Sequence, residues 1–284
     1  PIQGFLLVFP RTSVVIRHAG RAPVIADPTR VMLYNRGQEY TRRAVSSRGD
    51  ECEWFAFPRE LVADALRAHD PGVDDRGDRP FVATHAPADA ATYLLQRRVV
   101  EHLGRCAEPD RLFVEEAMMR LLDRSAGAPG PARSAASREI AEACRVVVTR
   151  DAGARLSLAG VAASVGVSAF HMARAFRRET GMSIHGYVHE VRLRTALERV
   201  TEGEDLARIA ADGGYASHSH FSERFRRTFR LTPSSLRALL GAPGRLSVPW
   251  EPPADACTRS SARASSRSRS ASPTTRGASR RSRP

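Results

Sequence analysis

Residues 206–233 read LARIAADGGYASHSHFSERFRRTFRLTP, and this stretch decides the fold because an earlier stretch repeats its pattern. The earlier copy, at 156–184, reads LSLAGVAASVGVSAFHMARAFRRETGMSI. Ser168 of the first copy precedes Ser217 of the second by 49 positions, and the Phe-Arg-Arg runs of both copies keep the same spacing. The sequence therefore contains two copies of one structural unit.

Each copy has the physical marks of a helix-turn-helix unit. A glycine supplies the turn conformation that a Cβ penalises, and a serine follows where it can cap the next helix. An apolar pair four residues apart then marks the buried side of the second helix, which ends in paired arginines. One such stripe alone is more typical of a buried core, but two in register favour two DNA-reading helices. The glycines are Gly166 and Gly214, and the apolar pairs are Met172 with Phe176 and Phe221 with Phe225.

Between the two copies, the apolar periodicity of Met182–Val200 predicts one long helix. A rigid connecting helix can hold two recognition helices about one DNA turn apart, roughly 34 Å. One chain could then contact two successive major grooves.

Positive charge is concentrated in the second half of the chain. The net charge is +13 at pH 7, and all 44 basic side chains are arginine. Residues 138–248 hold 17 arginines against 11 acidic residues and residues 249–284 hold 8 against 2, whereas residues 1–137 hold 19 against 18. This distribution is typical of a surface that binds a polyanion, while the lack of lysine by itself is typical of a GC-rich genome.

The pattern along the chain predicts an α+β protein. Short apolar runs in residues 1–124 predict a small antiparallel sheet or barrel followed by helices. Small residues, proline and glycine at 125–137 predict a linker, residues 138–241 predict an all-α domain, and the Ser/Arg-rich residues 242–284 predict a disordered basic tail. The predicted strands are Gly4–Phe9, Ser13–Arg17, Arg30–Tyr34, Tyr40–Ala44 and Glu53–Phe57, with a loop at Asp70–Pro80 and helices at Asp89–Gly104 and Pro109–Arg124.

Several ordered motifs give the C-terminal half its most specific signal. They are Leu158–Val167 with Ser168, Phe176–Ser183, Tyr187 with Arg192-Leu193, Gly214-Tyr215, Ser219–Phe221, Phe225–Arg227, and Thr232-Pro233 with Arg237. In these motifs the chain resembles the AraC-type family of bacterial transcription regulators, over about 100 residues. It departs from the family pattern at Arg230, where glycine is usual, at Leu236, where an aromatic is usual, and at Glu223-Arg224, where an arginine-first order is more frequent.

The resemblance implies which side chains meet DNA. Arg174 is the best candidate for a guanine contact, and Glu223 can accept a hydrogen bond from a cytosine amino group. Terminal arginines of both helices are expected to contact phosphates, with solvated helix-face charge as the alternative for each. The residues expected to face the groove are Phe170, His171, Ala173 and Arg174, then His218, Ser219, Ser222 and Glu223, and the phosphate-contacting arginines are Arg177, Arg178, Arg226 and Arg227.

The resemblance also implies that residues 1–124 form a cupin-like domain that senses a small molecule or dimerises. The expected partners are double-stranded DNA, a small-molecule effector, RNA polymerase and a second copy of the chain. No G-x5-H-x-H motif is present, and nothing in the sequence completes a site with the i, i+4 pair His185 and His189, so we expect no metal and no cofactor. The scattered cysteines fit a reducing cytoplasm, and no stretch approaches the roughly 20 apolar residues of a membrane span.

Two alternatives belong to other functional classes. Some proteins join this DNA-binding unit to an alkyl-transfer repair activity that uses a nucleophilic cysteine. Cys52, Cys106, Cys144 and Cys257 all lie outside the Pro-Cys-His-Arg motif of that activity, so an enzyme is not expected. The second alternative is a nonspecific basic nucleic-acid-binding protein whose Ser/Arg tail supplies the affinity.

Overall fold

The computed structural model describes residues 4–45, 49–126, 134–151 and 156–241. The strands are β1 (Phe5–Pro10), β2 (Val14–His18), β3 (Val24–Ala26), β4 (Arg30–Tyr34), β5 (Tyr40–Ala44), β6 (Cys52–Phe57) and β7 (His85–Pro87). The helices are α1 (Arg59–Arg67), α2 (Ala90–Arg105), α3 (Arg111–Ser125), α4 (Ala135–Arg150), α5 (Leu158–Val165), α6 (Ala169–Thr180), α7 (Ile184–Thr201), α8 (Leu206–Asp212), α9 (His218–Phe229) and α10 (Pro233–Gly241), with a 3-10 turn at Pro71–Arg76.

Two antiparallel sheets form the first half of the chain, one with the order β6-β1-β4-β7 and one with the order β3-β2-β5. In the larger sheet Leu7 of β1 lies opposite Leu33 of β4 and Phe55 of β6. These side chains are buried against α1 and α3 in one core. The α+β class, with N-terminal sheets and C-terminal helices, is confirmed.

The predicted strands lie within one residue of the observed ones, but the sequence reading missed β3, β7 and α1. β3 and β7 span three residues each, which is too short for an alternating pattern to stand out. The predicted loop at Asp70–Pro80 contains the 3-10 turn.

The predicted linker and tail lie largely beyond what the structure describes. The ends of the 125–137 segment are helical, because α3 reaches Ser125 and α4 starts at Ala135. Residues 127–133 of that segment, and all of the tail at 242–284, lie outside the described residues.

The long helix α7 joins two separate cores in the second half. Tyr187, near its start, is buried with Phe176 of α6 and Val148 of α4. Leu197, near its end, is buried with Phe225 of α9. Because both cores pack on one continuous helix, α7 fixes the helix pair α5–α6 relative to the helix pair α8–α9.

Residues from both predicted domains share the second core. Tyr93 of α2 is fully buried in the same cluster as Phe225. Its hydroxyl donates to Glu198 Oε1 of α7 at 2.8 Å, and the Arg194 guanidinium lies 5.7 Å from its ring centroid. The N-terminal half therefore completes the packing of α9.

A buried polar interface joins β3 and β4 to the helices. The Asp27 carboxylate, which is fully buried, accepts from Arg145 Nη1 at 2.8 Å and from the Tyr187 hydroxyl at 2.7 Å. Glu142 of α4 accepts from Arg30 Nη1 at 2.9 Å and from the Ile25 N–H at 2.6 Å. Such charged groups are tolerated in an interior only when they are paired, as Arg30 is with Glu142 and Arg145 is with Asp27.

Within the described residues, no single helix is long and apolar enough to cross a membrane, although the bent pair α5–α6 passes the same length and composition test when taken together.

Candidate nucleic-acid interface

The helix pair α5–α6 is joined by a glycine turn. Gly166 ends α5 with φ +78°, a conformation that L side chains rarely adopt. The Ser168 side chain then accepts from the His171 N–H at 3.2 Å and caps α6. Met172 and Phe176 are fully buried, so the opposite side of α6 faces solvent.

The helix pair α8–α9 repeats this arrangement. Gly214 has φ +71°, and Ser217 caps α9 by accepting from the His220 N–H at 3.1 Å. A Cβ on the preceding Gly213 would lie 2.8 Å from the Tyr215 ring, so this turn also needs glycine for space. Phe221 is fully buried on the inner side of α9.

Arg230 ends α9 in a left-handed conformation, with φ +60°. It is the non-glycine residue with positive φ among the described ones, whereas Gly181 ends α6 in the same way with φ +76°. We expect Arg230→Gly to raise the free energy of unfolding by about 1 kcal/mol, because the left-handed region penalises a Cβ. Thermal unfolding of the full chain, followed by circular dichroism, measures the effect.

The reciprocal substitution provides the control. A Cβ at Gly181 would meet no atom within 4 Å, so Gly181→Arg tests the backbone conformation without a steric clash. It should lower stability by a similar amount. If both substitutions change the melting temperature in the same direction, conformational preference is not the cause.

On α6 the predicted site residues line the solvent side. Phe170 is 78% exposed, which is unusual for a large apolar side chain, and His171 is also exposed. Arg174 and Arg177 are exposed and form no ion pair within the described part of the chain, while Ala173 is half-buried. This surface offers an apolar contact and two available guanidinium groups.

On α9 the charges are paired with one another. Glu223 accepts from Arg226 Nη2 at 2.9 Å and from Arg227 Nε at 2.7 Å, and these hydrogen bonds lower the pKa of the Glu223 carboxyl. His218 and Ser219 are exposed and Ser222 is half-buried. The two helices thus present different chemistry, with available cations on α6 and a neutralised carboxylate on α9.

Arg178 has a partner that the sequence reading missed. Its guanidinium donates to the Ser137 hydroxyl of α4 and, at 3.3 Å, to the Ser134 hydroxyl. The same Ser134 caps α4, so Arg178 links the end of α6 to the start of α4. No periodic pattern marks a contact between helices 41 positions apart.

The histidine pair is close in space. The Nε2 atoms of His185 and His189 lie 3.1 Å apart on α7. Among the described residues, no group of three or more His, Cys, Asp or Glu side chains is arranged to hold a metal ion.

Comparison with known proteins places these helices in a family. A family model described as a helix-turn-helix domain matches residues 161–238, which include both turns. The regulatory protein SoxS of Escherichia coli is 37% identical over 83 residues, which cover 29% of this chain and 78% of that protein. The transcriptional regulator GlxA of Rhizobium meliloti is 33% identical over 117 residues, which cover 41% of this chain.

The similarity to full-length relatives is partial. The matching segment spans 34% of the length of GlxA. A solved AraC-type transcriptional regulator structure from Chromobacterium violaceum matches 39% of this chain and all of that chain, at 28% identity and a TM-score of 0.37.

Proposed function

Because the chain belongs to the AraC-type family of bacterial transcription regulators, we propose that it binds specific DNA sequences by placing α6 and α9 in two successive major grooves. In this proposal the helix pairs α5–α6 and α8–α9 are two helix-turn-helix units, and α6 and α9 are their reading helices. The domain that carries them spans residues 138–241.

The observation that supports this most strongly is the matched geometry of the two pairs. Each reading helix follows a positive-φ glycine, starts at a serine cap and buries a phenylalanine, Phe176 or Phe225, on its inner side. All the side chains proposed to meet DNA then remain exposed or half-buried. A helix that reads DNA needs this division, with apolar anchors behind and polar groups in front.

Selection of bound duplexes from a random pool by the full chain, at two salt concentrations, tests the proposal. We expect an enriched motif that extends over two major-groove segments and that persists at high salt. Binding that shows no motif and fades with salt would instead favour the nonspecific alternative, since phosphate neutralisation alone behaves in that way. A variant that lacks residues 242–284 separates the tail from the reading helices, because sequence preference should survive this deletion.

Arg174→Ala should relax base preference at one position of the motif. An arginine that donates to a guanine edge contributes about 1–3 kcal/mol of discrimination, and Arg174 has no competing ion pair within the described residues. The matched control is Arg208→Ala, which removes an exposed arginine from α8, where it lies 3.8 Å from Asp212. Competition binding against single-base variants of the motif would contradict the assignment if Arg174→Ala weakened binding equally to all of them.

Residues 1–124 are proposed to act as a cupin-like sensor of a small molecule. An open cavity of about 840 Å³ is lined by Arg17, His18, Gln38 and Tyr40, among others. His18 is 2% exposed, and its Nε2 atom is enclosed without a hydrogen-bond partner, while its Nδ1 lies 2.7 Å from Gln38 Nε2. A polar effector could satisfy that nitrogen, so a compound that raises the melting temperature of the wild type but not of His18→Phe would support this site.

Dimerisation and contact with RNA polymerase stay predictions. The family resemblance assigns dimerisation to the N-terminal half. Light scattering of the full chain measures the oligomeric state directly, and a monomer at all concentrations would contradict the dimer.

A further inference from the structure

A group of basic side chains lies where α7 meets the start of α9, outside the residues proposed to read bases. We call this group the imidazole–arginine cluster, and its members are His185, His189 and Arg192 of α7 with His220 and Arg224 of α9. Besides burial, the largest electrostatic influences on His189 come from the other four members. All five can carry positive charge.

Two histidines of the cluster share one hydrogen bond. The Nε2 atoms of His185 and His189 are 3.1 Å apart and the ring centroids are 4.4 Å apart. One ring nitrogen must donate and the other must accept, so the pair in this geometry holds at most one extra proton. Nδ1 of His189 is enclosed without a hydrogen-bond partner, whereas His185 is exposed. His185 is therefore the member that can reach a ligand.

The charged groups that act most strongly on the His185–His189 pair are basic. Burial and the four neighbouring basic groups lower the pKa of His189. The nearby carboxylate Glu190 is directed to Arg194, whose Nη1 donates to it at 2.6 Å. Arg224 forms no ion pair with any described residue. An anion brought to this surface would relieve the repulsion among these groups.

The cluster lies next to the second reading helix. His220 belongs to the first turn of α9, and its ring contacts Tyr215, with centroids 5.8 Å apart. The Arg192 guanidinium lies against the turn, 3.5 Å from where a Cβ on Gly214 would be. α7 itself connects the two helix pairs. In the proposed complex, the backbone phosphates between the two major-groove segments would lie beside the helix that connects the two reading helices.

We propose that the imidazole–arginine cluster binds a phosphate of the DNA backbone between the two reading helices, and that the His185–His189 pair takes up one proton on binding. The phosphate adds negative charge beside the His185–His189 pair, so the protonated pair is stabilised in the complex. DNA affinity then falls as the pH rises, because binding takes up a proton and the proton concentration decreases with pH. This inference rests on the proposed function, since it requires both reading helices on one duplex.

Binding titrations of the full chain at about pH 6 and about pH 8 test the inference. The probes are two duplexes of equal length and base composition, one with the enriched motif and one scrambled. We expect severalfold weaker binding to the motif at the higher pH, because a rise of about one unit in the pKa of one group on binding changes the affinity by at most about tenfold. His185→Gln with His189→Gln should remove most of this pH dependence and reduce the salt dependence at the lower pH by about one phosphate contact.

The control is His69→Gln, an exposed histidine of the N-terminal half that should leave the pH dependence unchanged. Circular dichroism of each variant confirms that the helices are intact. The inference is overturned if the wild type shows no pH dependence, or if the double variant retains more than half of it. The same titrations test the proposed function separately, through the preference for the motif duplex over the scrambled one. Preference without a pH effect rejects only the phosphate site, whereas a lack of preference at both pH values rejects the proposed function.

Discussion

Replacing Asp27 with alanine is expected to lower the free energy of unfolding by about 3–5 kcal/mol, because it leaves a buried cation without its main partner. The Arg145 side chain is 6% exposed and donates to Asp27 Oδ2 at 2.8 Å. The Tyr187 hydroxyl loses its acceptor in the same variant. Urea unfolding of the full chain at neutral pH, followed by circular dichroism, measures the loss.

Asp64→Ala is the matched control for this substitution. Like Asp27, Asp64 forms an ion pair with an arginine, Arg67. The Asp64 side chain is 64% exposed, however, and such surface pairs contribute at most about 1 kcal/mol to stability. A loss below about 1 kcal/mol in Asp27→Ala would show that Arg145 finds another partner. Glu142 Oε1, 4.0 Å from Arg145 Nε, is the nearest candidate.

The Asp27 interaction also predicts a stability loss in acid. Burial raises the pKa of the Asp27 carboxyl, but Arg145 and Arg30, with hydrogen bonds from Thr29 and Tyr187, outweigh this and lower it from 3.8 to about 2. A group with a lowered folded-state pKa stabilises the fold above its unfolded pKa and loses that effect as the pH falls through the folded one. The difference in stability between wild type and Asp27→Ala should therefore shrink from about pH 4 to about pH 2.

The second large effect is expected for Phe225→Ala, which should cost about 3–5 kcal/mol through the cavity it leaves. Phe225 is fully buried, and its ring centroid lies 5.6 Å from that of Phe221 and 4.7 Å from that of Phe229. Because this core is separate from the one around Phe176, we expect Phe225→Ala to destabilise mainly the helix pair α8–α9. DNA selected by the variant should then lose one of the two motif segments.

Phe170→Ala is the control, since it removes the same side chain from a position that is 78% exposed. Its stability should stay within about 0.5 kcal/mol of the wild type, while base preference in the first motif segment changes. Equal stability losses in the two variants would contradict the assignment of Phe225 to a core and Phe170 to a DNA-facing surface.

The local chemistry of the helices was readable in the sequence. Ser168 and Ser217 cap α6 and α9 as predicted, and the positive φ values fall at Gly166 and Gly214. These features depend on hydrogen bonds and side-chain positions within four residues of each other. A short stretch of sequence is therefore enough to predict them. Whether the exposed residues contact DNA stays a prediction.

The partner of Arg178 was decided by the tertiary structure. The sequence marked Arg178, Arg226 and Arg227 as equivalent phosphate ligands, yet Arg178 is bound to Ser134 and Ser137 at the start of α4. Arg226 and Arg227 are bound to Glu223 of the same helix, three and four positions away, which is a spacing that the sequence already contains. A charge on a helix face has several partners within reach. Only the packed structure selects among them.

By itself the sequence determined where α6 and α9 begin, which of their faces are apolar, and that the pattern occurs twice. The tertiary structure decided that Asp27 meets Arg145 across 118 positions and Tyr187 across 160, and that Tyr93 completes the core behind α9. The reason is physical: helix signals are local and repeat with the helical period, whereas a buried polar partner leaves no periodic trace. It is fixed only when packing excludes water and each buried charge requires a match.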